Sequence, residues 1–376
     1  MKAEQLVKKI KELGIDTLVG VPDSTLKQFC DYINTDGKDE FHHYVPENEG
    51  AAVGIATGVY LSTNKPACIY MQNSGLGNTV NPITSLMNKE VYDIPMLMLI
   101  GWRGEPGFHD EPQHKFMGKI TKELLDVLDI SYEVIGEETT ESEVEKVFAR
   151  ASGALEKNCQ YAIIIKKNTF EERKGEGYRN ENSLCREEVI GQILKVLNKE
   201  DIVVSTTGKI SREVYEQSDK ILGQHAQEFL TVGGMGYASM IAFGMAKNMP
   251  KKRVVCIDGD GAVLMHMGSL PFIGKENPKN LLHFCLNNEA HESVGGMPTG
   301  ASGQSYAEIA RASGYKKIFC IENDEELNVM LESLEGIEGP VFAEVKVSMD
   351  SRKNLGRPKE TAIENKELFM KYHEVI

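Results

Sequence analysis

Two short clusters of oxygen donors stand out in this chain. Asp258-Gly259-Asp260-Gly261-Ala262 follows the apolar run 253–257, and Asn287-Asn288 follows a second apolar run, 280–286. An Asp carboxylate, an Asn side-chain carbonyl and a nearby backbone carbonyl are hard ligands. They suit Mg²⁺, which completes its octahedron with ligand phosphates and water. Gly259 and Gly261 let backbone N–H groups approach a phosphate closely. Either cluster alone reads as an ordinary turn. The pair, each placed after a strand, points to a metal-diphosphate site at the carboxyl edge of a parallel sheet.

Other residues have suitable chemistry in similar places. Ser205-Thr206-Thr207-Gly208 sets hydroxyl and N–H groups at a helix start, where anions bind. A capped turn explains it equally well. Val232-Gly233-Gly234-Met235-Gly236-Tyr237-Ala238 competes as a dinucleotide fingerprint, with Asp258 about 20 residues on and Ser239 in the third glycine position. That alternative is an NAD-binding Rossmann oxidoreductase. Arg103 follows the strand 96–100, and its planar fork suits a phosphonate or a carboxylate. The competing reading is a surface Arg paired with Glu105. Asp23 and Ser24 sit in the first strand-to-helix turn, as ligand contacts or as a helix cap. His114 and His291 titrate near neutral pH and suit proton transfer. Lys115 is a further cation, and Trp102 is expected in the core.

These residues need elements to hold them. Apolar strands are predicted at 17–20, 67–71, 96–100, 161–165, 202–205, 229–232, 253–257, 281–286 and 341–347. Amphipathic helices are predicted at 3–13, 50–61, 141–156, 186–197, 235–247, 304–313 and 324–334. Strands this apolar, alternating with helices, imply parallel sheets covered on both faces. The polar, Gly-containing stretch 171–185 reads as a linker between domains over 1–170 and 186–376.

The motif Gly259-Asp260-Gly261…Asn287-Asn288 resembles the cofactor motif of the thiamine diphosphate-dependent enzymes. The resemblance implies that Asp260 and Asn288 ligate Mg²⁺ by side chain, with the Ala290 carbonyl as third ligand. It implies that Gly259, Gly261, Ala262, Thr206, Thr207 and Gly208 line the diphosphate. Met235 would prop the bent cofactor, and the Gly233 carbonyl would accept from its 4′-amine. Glu49 stands before the small-residue helix at 50–61, where the family has a Glu that shares a proton with the aminopyrimidine ring and so promotes the ylid. By itself Glu49 is an acid favoured at a helix N-terminus. Glu47 is its close rival, and the spacing to Gly50 favours Glu49.

The implied fold is α/β: two thiamine diphosphate-binding-type domains, each a mostly parallel sheet flanked by helices. No room is left for the middle domain many relatives carry. That makes the chain similar to the compact decarboxylases of phosphonopyruvate and sulfopyruvate, with both subunit equivalents of the latter fused. The segments 20–24, 101–107, 110–114 and 287–293 favour phosphonopyruvate, hence phosphonoacetaldehyde and CO₂ as products, in phosphonate biosynthesis. Sulfopyruvate or another small 2-oxo acid is the alternative. In this reading Asp23, Ser24, Arg103, His114 and His291 face the substrate. The resemblance also implies a homodimer or higher oligomer with active sites between chains.

Composition limits the partners. The chain has 376 residues, 42 Lys plus Arg against 56 Asp plus Glu, and a net charge of −14. Nucleic acid is an unsuitable partner for so acidic a surface. Seven scattered Cys without a CxxC pair, a charged amphipathic start and the absence of a long apolar run lead us to expect a reduced, cytoplasmic protein away from membranes.

Overall fold

A computed structural model describes the chain except residues 174–177, 295, 350 and 353. The expected linker's stretch 174–177 therefore lies outside the described residues. The chain forms two compact units, one of residues 1–178 with 291–297, the other of 179–290 with 298–376.

The first unit holds β1 (Thr17–Gly20), β2 (His42–Tyr44), β3 (Ala67–Gln72), β4 (Met96–Gly101), β5 (Ser131–Ile135) and β6 (Gln160–Ile165). They form one parallel sheet in the order β2-β1-β3-β4-β6-β5. Its helices are α1 (Ala3–Glu12), α2 (Lys27–Asn34), α3 (Glu49–Thr63), α4 (Leu76–Pro82), α5 (Pro112–Val127) and α6 (Glu141–Leu155). Strands β3, β4 and β6 are apolar on both faces because helices cover both. Cys68, Tyr70, Leu97 and Leu99 pack toward one core, and Ile69, Met71, Met96 and Met98 toward the other. The strand order reverses between β1 and β3. That topological switch point opens a crevice beyond the strand ends, where α/β sheets bind ligands.

The second unit repeats the plan. Its main strands are β7 (Ile202–Ser205), β8 (Glu228–Leu230), β9 (Val254–Gly259) and β10 (Leu281–Asn287). The short paired strands β11 (Ala290–His291) and β12 (Met297–Pro298) fall where the sequence leaves and re-enters this unit, and β13 (Lys317–Ile321) and β14 (Val341–Lys346) follow. The parallel order is β13-β14-β10-β9-β7-β8, so the switch point falls between β7 and β9. Helices α7 (Arg186–Lys195), α8 (Lys209–Ile221), α9 (Ala238–Asn248), α10 (Asp260–Met265), α11 (Ser269–Glu276), α12 (Tyr306–Ala312), α13 (Asp324–Glu332) and α14 (Ala362–Tyr372) accompany the sheet. Edge strand β8 is closed by one side chain of α14. Asn365 Oδ1 accepts from Leu230 N–H at 3.1 Å and its Nδ2 donates to the Glu228 carbonyl at 2.9 Å. The Asn365 amide thus supplies what a neighbouring strand would supply.

Some boundaries differ from the sequence expectation. Helix α9 starts at Ala238 rather than Met235, because Gly234 (φ +66°) and Gly236 (φ +87°) hold left-handed backbone that a right-handed helix excludes. Strand β8 ends at Leu230, and the chain bends from Val232 onward. Strands β2, β5 and β13 are edge strands with mixed exposure, so they lack the apolar runs that mark the central ones. No helix among the described residues is long and apolar enough to cross a membrane.

The edge strand β2 carries a pH-sensitive contact. Tyr70 is fully buried, and its hydroxyl lies 2.8 Å from His43 Nε2. Burial pushes the His43 imidazole down to about 4. His43 is therefore neutral at pH 7 in folded and unfolded chains alike, and its contribution is fully present above the unfolded value of about 6.5. Between that pH and about 4 only the unfolded chain takes up the proton, so stability falls by up to roughly 3 kcal/mol as pH drops. Urea midpoints of the first unit's transition should fall over this window. His43→Gln should flatten the fall, and an unchanged pH slope in that variant would contradict the assignment.

Candidate active site

Glu49 is the first residue of α3. Asn48 caps the helix, its side chain accepting from Ala51 N–H at 3.0 Å. Glu49 is buried at 6% exposure, whereas its rival Glu47 is exposed. Asn78 Nδ2 of α4 donates to Glu49 Oε2 at 2.7 Å. A Cβ on Gly75 would stand 2.5 Å from Glu49 Oε1, so a glycine there makes room for the carboxyl. The buried acid thus has one fixed donor and one side kept clear.

A second group gathers beyond β1, β3 and β4. Asp23 is fully buried; it accepts from Thr25 N–H at 2.9 Å and from Gln72 Nε2 at 2.7 Å. A Cβ on Gly101 would collide with Asp23 Oδ2 at 2.1 Å, so the end of β4 requires glycine. Arg103 does not pair with Glu105, which instead meets Lys166 at 3.0 Å. Its guanidinium grips Asp110 in a two-pronged contact, with Nε at 2.8 Å, and Nη1 donates to Ser24 Oγ at 2.9 Å. Burial alone would raise the Asp110 carboxyl. The Arg103 bonds and the N–H groups of Glu111 and Gly104 outweigh it and hold Asp110 well below the usual range. Buried Asn73 fixes the Arg103 backbone from both sides, at 3.2 and 2.8 Å. The result is an ion pair held by its own scaffold just beyond the end of β4.

His114 of α5 lies partly buried near this group. Burial and then the Arg103 charge lower its pKa, which favours the neutral imidazole. Helix α5 sits tightly on the Gly104 turn, because a Cβ on Gly118 would meet Gly104 O at 1.8 Å. Trp102 is buried as expected, donating Nε1–H to Gly118 O at 2.9 Å. Lys115 is exposed. His291 is pushed down to about 4 by burial, and among the described residues it shares no hydrogen bond with the Arg103 group.

In the second unit, Thr206–Gly208 and Gly259–Ala262 occupy the two strand ends at the switch point. Thr206 N–H bonds Ile257 O at 2.9 Å, tying the first loop to β9. Thr207 Oγ1 donates to Val232 O at 2.9 Å, which links the first loop to the segment of Gly233 and Met235. Gly208 (φ +92°) opens α8. Gly236 is also obligatory, since a Cβ would stand 2.6 Å from His266 Cδ2. Asp260 is 3% exposed and accepts from Thr299 Oγ1 at 2.6 Å. Burial pushes its carboxyl up to about 6, against the bonds from Thr299 and from backbone N–H groups including those of Gly261 and Asn288. Asn288 is buried at 4%, and its Oδ1 accepts from Ala290 N–H at 3.1 Å. A buried carboxylate short of positive charge, beside hard carbonyl oxygens, fits a magnesium diphosphate.

Several supporting residues escaped the sequence reading. Gly75 and Asn78 lie in the polar, Gly-containing stretch after β3, a composition shared by the motif loops that were read. Gln72 and Thr299 act through partners far away in sequence and leave no local signature, whereas Asp110 lies in the singled-out segment 110–114 but its role toward Arg103, seven residues back, shows only in the fold.

Comparison with known proteins matches both parts of the chain to one enzyme class. The N-terminal TPP binding domain of thiamine pyrophosphate enzymes matches residues 2–126, and the C-terminal TPP binding domain matches residues 215–345. The second match contains the 232–238 segment and so removes the dinucleotide alternative. A phosphonopyruvate decarboxylase of Streptomyces viridochromogenes is 35% identical over 96% of this chain and 92% of its own length. One from Streptomyces hygroscopicus is 31% identical over 96% and 90%. A sulfopyruvate decarboxylase of Methanosarcina acetivorans is 28% identical over 79% and 78%.

Proposed function

Because this chain belongs to the thiamine diphosphate-dependent decarboxylases, and among them to the phosphonopyruvate decarboxylase family, we propose that it converts 3-phosphonopyruvate to phosphonoacetaldehyde and CO₂. The observation that carries the substrate choice is similarity along 96% of the chain to two proteins of that activity. The reaction serves phosphonate biosynthesis.

When bound, thiamine diphosphate supplies a nucleophilic carbon and a sink for the electron pair left as CO₂ departs. The chain's own residues do the rest. Asp260, Asn288 and the Ala290 carbonyl hold Mg²⁺, which anchors the diphosphate. The glycine turn Gly259–Ala262, with Thr206, Thr207 and Gly208, lines the phosphate oxygens, and the glycines let them approach the backbone closely. Met235 and the Gly233 carbonyl orient the ring system. Glu49 holds and returns a proton at its carboxyl, with Asn78 fixing one oxygen. Arg103 and Ser24 meet the phosphonate, with Asp23, His114 and His291 completing the polar wall. Neutral His114 and His291 serve as hydrogen-bond partners rather than fixed cations. The active unit is a homodimer or larger, with sites between chains.

Rates of CO₂ release from phosphonopyruvate and sulfopyruvate, side by side, test the substrate. Each is run with and without thiamine diphosphate and Mg²⁺, with chelator as control. Phosphonopyruvate should be preferred, and Arg103→Lys should raise its KM by roughly tenfold or more through loss of the two-pronged fork. Preference for sulfopyruvate would overturn the assignment.

A further inference from the structure

Glu344 is fully buried on β14 beside the Asn287-Asn288 loop. Three donors converge on it. Asn287 Nδ2 reaches Oε1 at 2.8 Å, Ala307 N–H of α12 reaches Oε2 at 2.9 Å, and Lys346 Nζ reaches Oε1 at 3.0 Å. Lys346 also lies 3.7 Å from Glu289. Only an acceptor-only group satisfies such a set; an amide would turn its own NH₂ toward one of the donors.

The consequence passes into the loop. Glu344 fixes which way the Asn287 amide faces. Asn287 Oδ1 then accepts from Glu289 N–H at 3.0 Å. That bond holds Glu289 at φ +60°, a left-handed conformation unfavourable for a side-chain-bearing residue. The Glu289 carbonyl accepts from Thr299 N–H at 2.9 Å, and Asn180 Nδ2 donates to the Asn288 carbonyl at 2.8 Å. Asn288 and Ala290 flank the kink, so the orientation of both oxygens depends on it. The same Thr299 bonds Asp260.

We propose that Glu344 is a positioning residue for the metal loop, setting through Asn287 the kink that aims Asn288 and the Ala290 carbonyl. Nothing in the chemistry requires it to touch metal, cofactor or substrate. The inference rests on the reading of Asp260, Asn288 and Ala290 as metal ligands.

The test is calorimetric titration of Mg²⁺ into protein with thiamine diphosphate, beside the melting temperature of the cofactor-free protein and kcat at saturating Mg²⁺. Glu344→Gln should weaken Mg²⁺ binding by about 10- to 100-fold, the usual effect of losing an outer-shell partner. Excess Mg²⁺ should restore kcat to within about threefold, since the reacting groups are untouched. If Glu344→Gln does not fold, Lys346→Met takes its place, keeping both amide donors satisfied, with a smaller weakening expected. Unchanged Mg²⁺ affinity in the folded variant, with or without a lower melting temperature, overturns the proposal and leaves Glu344 a packing residue. A wild-type protein that binds thiamine diphosphate equally well without Mg²⁺ overturns the metal reading itself, and this inference with it.

Discussion

Glu49→Gln lowers kcat by about 10³-fold, within the usual range for a lost acid–base group, and leaves most thiamine diphosphate affinity in place. The substitution keeps shape and volume at a buried helix start. It keeps an oxygen for Asn78 Nδ2, and it fits the space left by Gly75. It removes the ability to hold a proton and give it back. Loss of turnover with retained binding therefore isolates proton handling from packing. Steady-state CO₂ release and calorimetric cofactor titration on the same preparation make the comparison. Glu47→Gln serves as the control, because that side chain is exposed and its loss should change neither quantity. Turnover near wild type in Glu49→Gln would remove the acid from the mechanism.

Asp260→Asn produces the opposite division. Mg²⁺ binding should weaken by more than about 100-fold, beyond what outer-shell changes usually cause. Thiamine diphosphate binding should fall with it, and activity with both. Chelation of the wild-type protein should reproduce the loss, and added Mg²⁺ should reverse it. Stability of the cofactor-free protein should move the other way. With the carboxyl raised to about 6, the ionised form at pH 7 is destabilising by roughly 3 kcal/mol relative to an exposed aspartate. A neutral isostere relieves part of that amount, offset by the cost of turning its NH₂ toward one of the donors that Asp260 now accepts from. A folded Asp260→Asn protein that binds Mg²⁺ like wild type would exclude this carboxylate as the anchor. A large drop in its cofactor-free stability would contradict the charge argument.

The legible parts of this protein were those whose signal is local. Central strands such as 96–101 and 254–259 are apolar because both faces are covered, and that shows in a run of residue types. The Asp260 and Asn288 turns declare themselves by donor chemistry next to such runs. The separation of Glu49 from Glu47 was partly legible through its spacing to Gly50, and burial supports the choice. What stayed hidden depends on distant partners. From sequence, Arg103 suits a substrate anion or a surface pair with Glu105, two residues away. The chain turn at Gly104 instead brings Asp110 to it. Glu344 is an unremarkable acid in an apolar strand until Asn287 and Ala307 arrive from elsewhere. The start of α9 was misplaced because periodicity does not reveal which glycines turn left-handed.

The Asn365 contact with β8 also has a bearing on biosynthesis. A ribosome makes the chain from its N-terminus, so strands β7 to β10 emerge well before residues 362–372. Until α14 has been made, β8 keeps an open row of backbone donors and acceptors, available to any other nascent chain. Closure of that edge therefore waits until every strand of the sheet has been made. Pausing or premature termination shortly before residue 365 yields a nearly complete second sheet with its adhesive side uncovered.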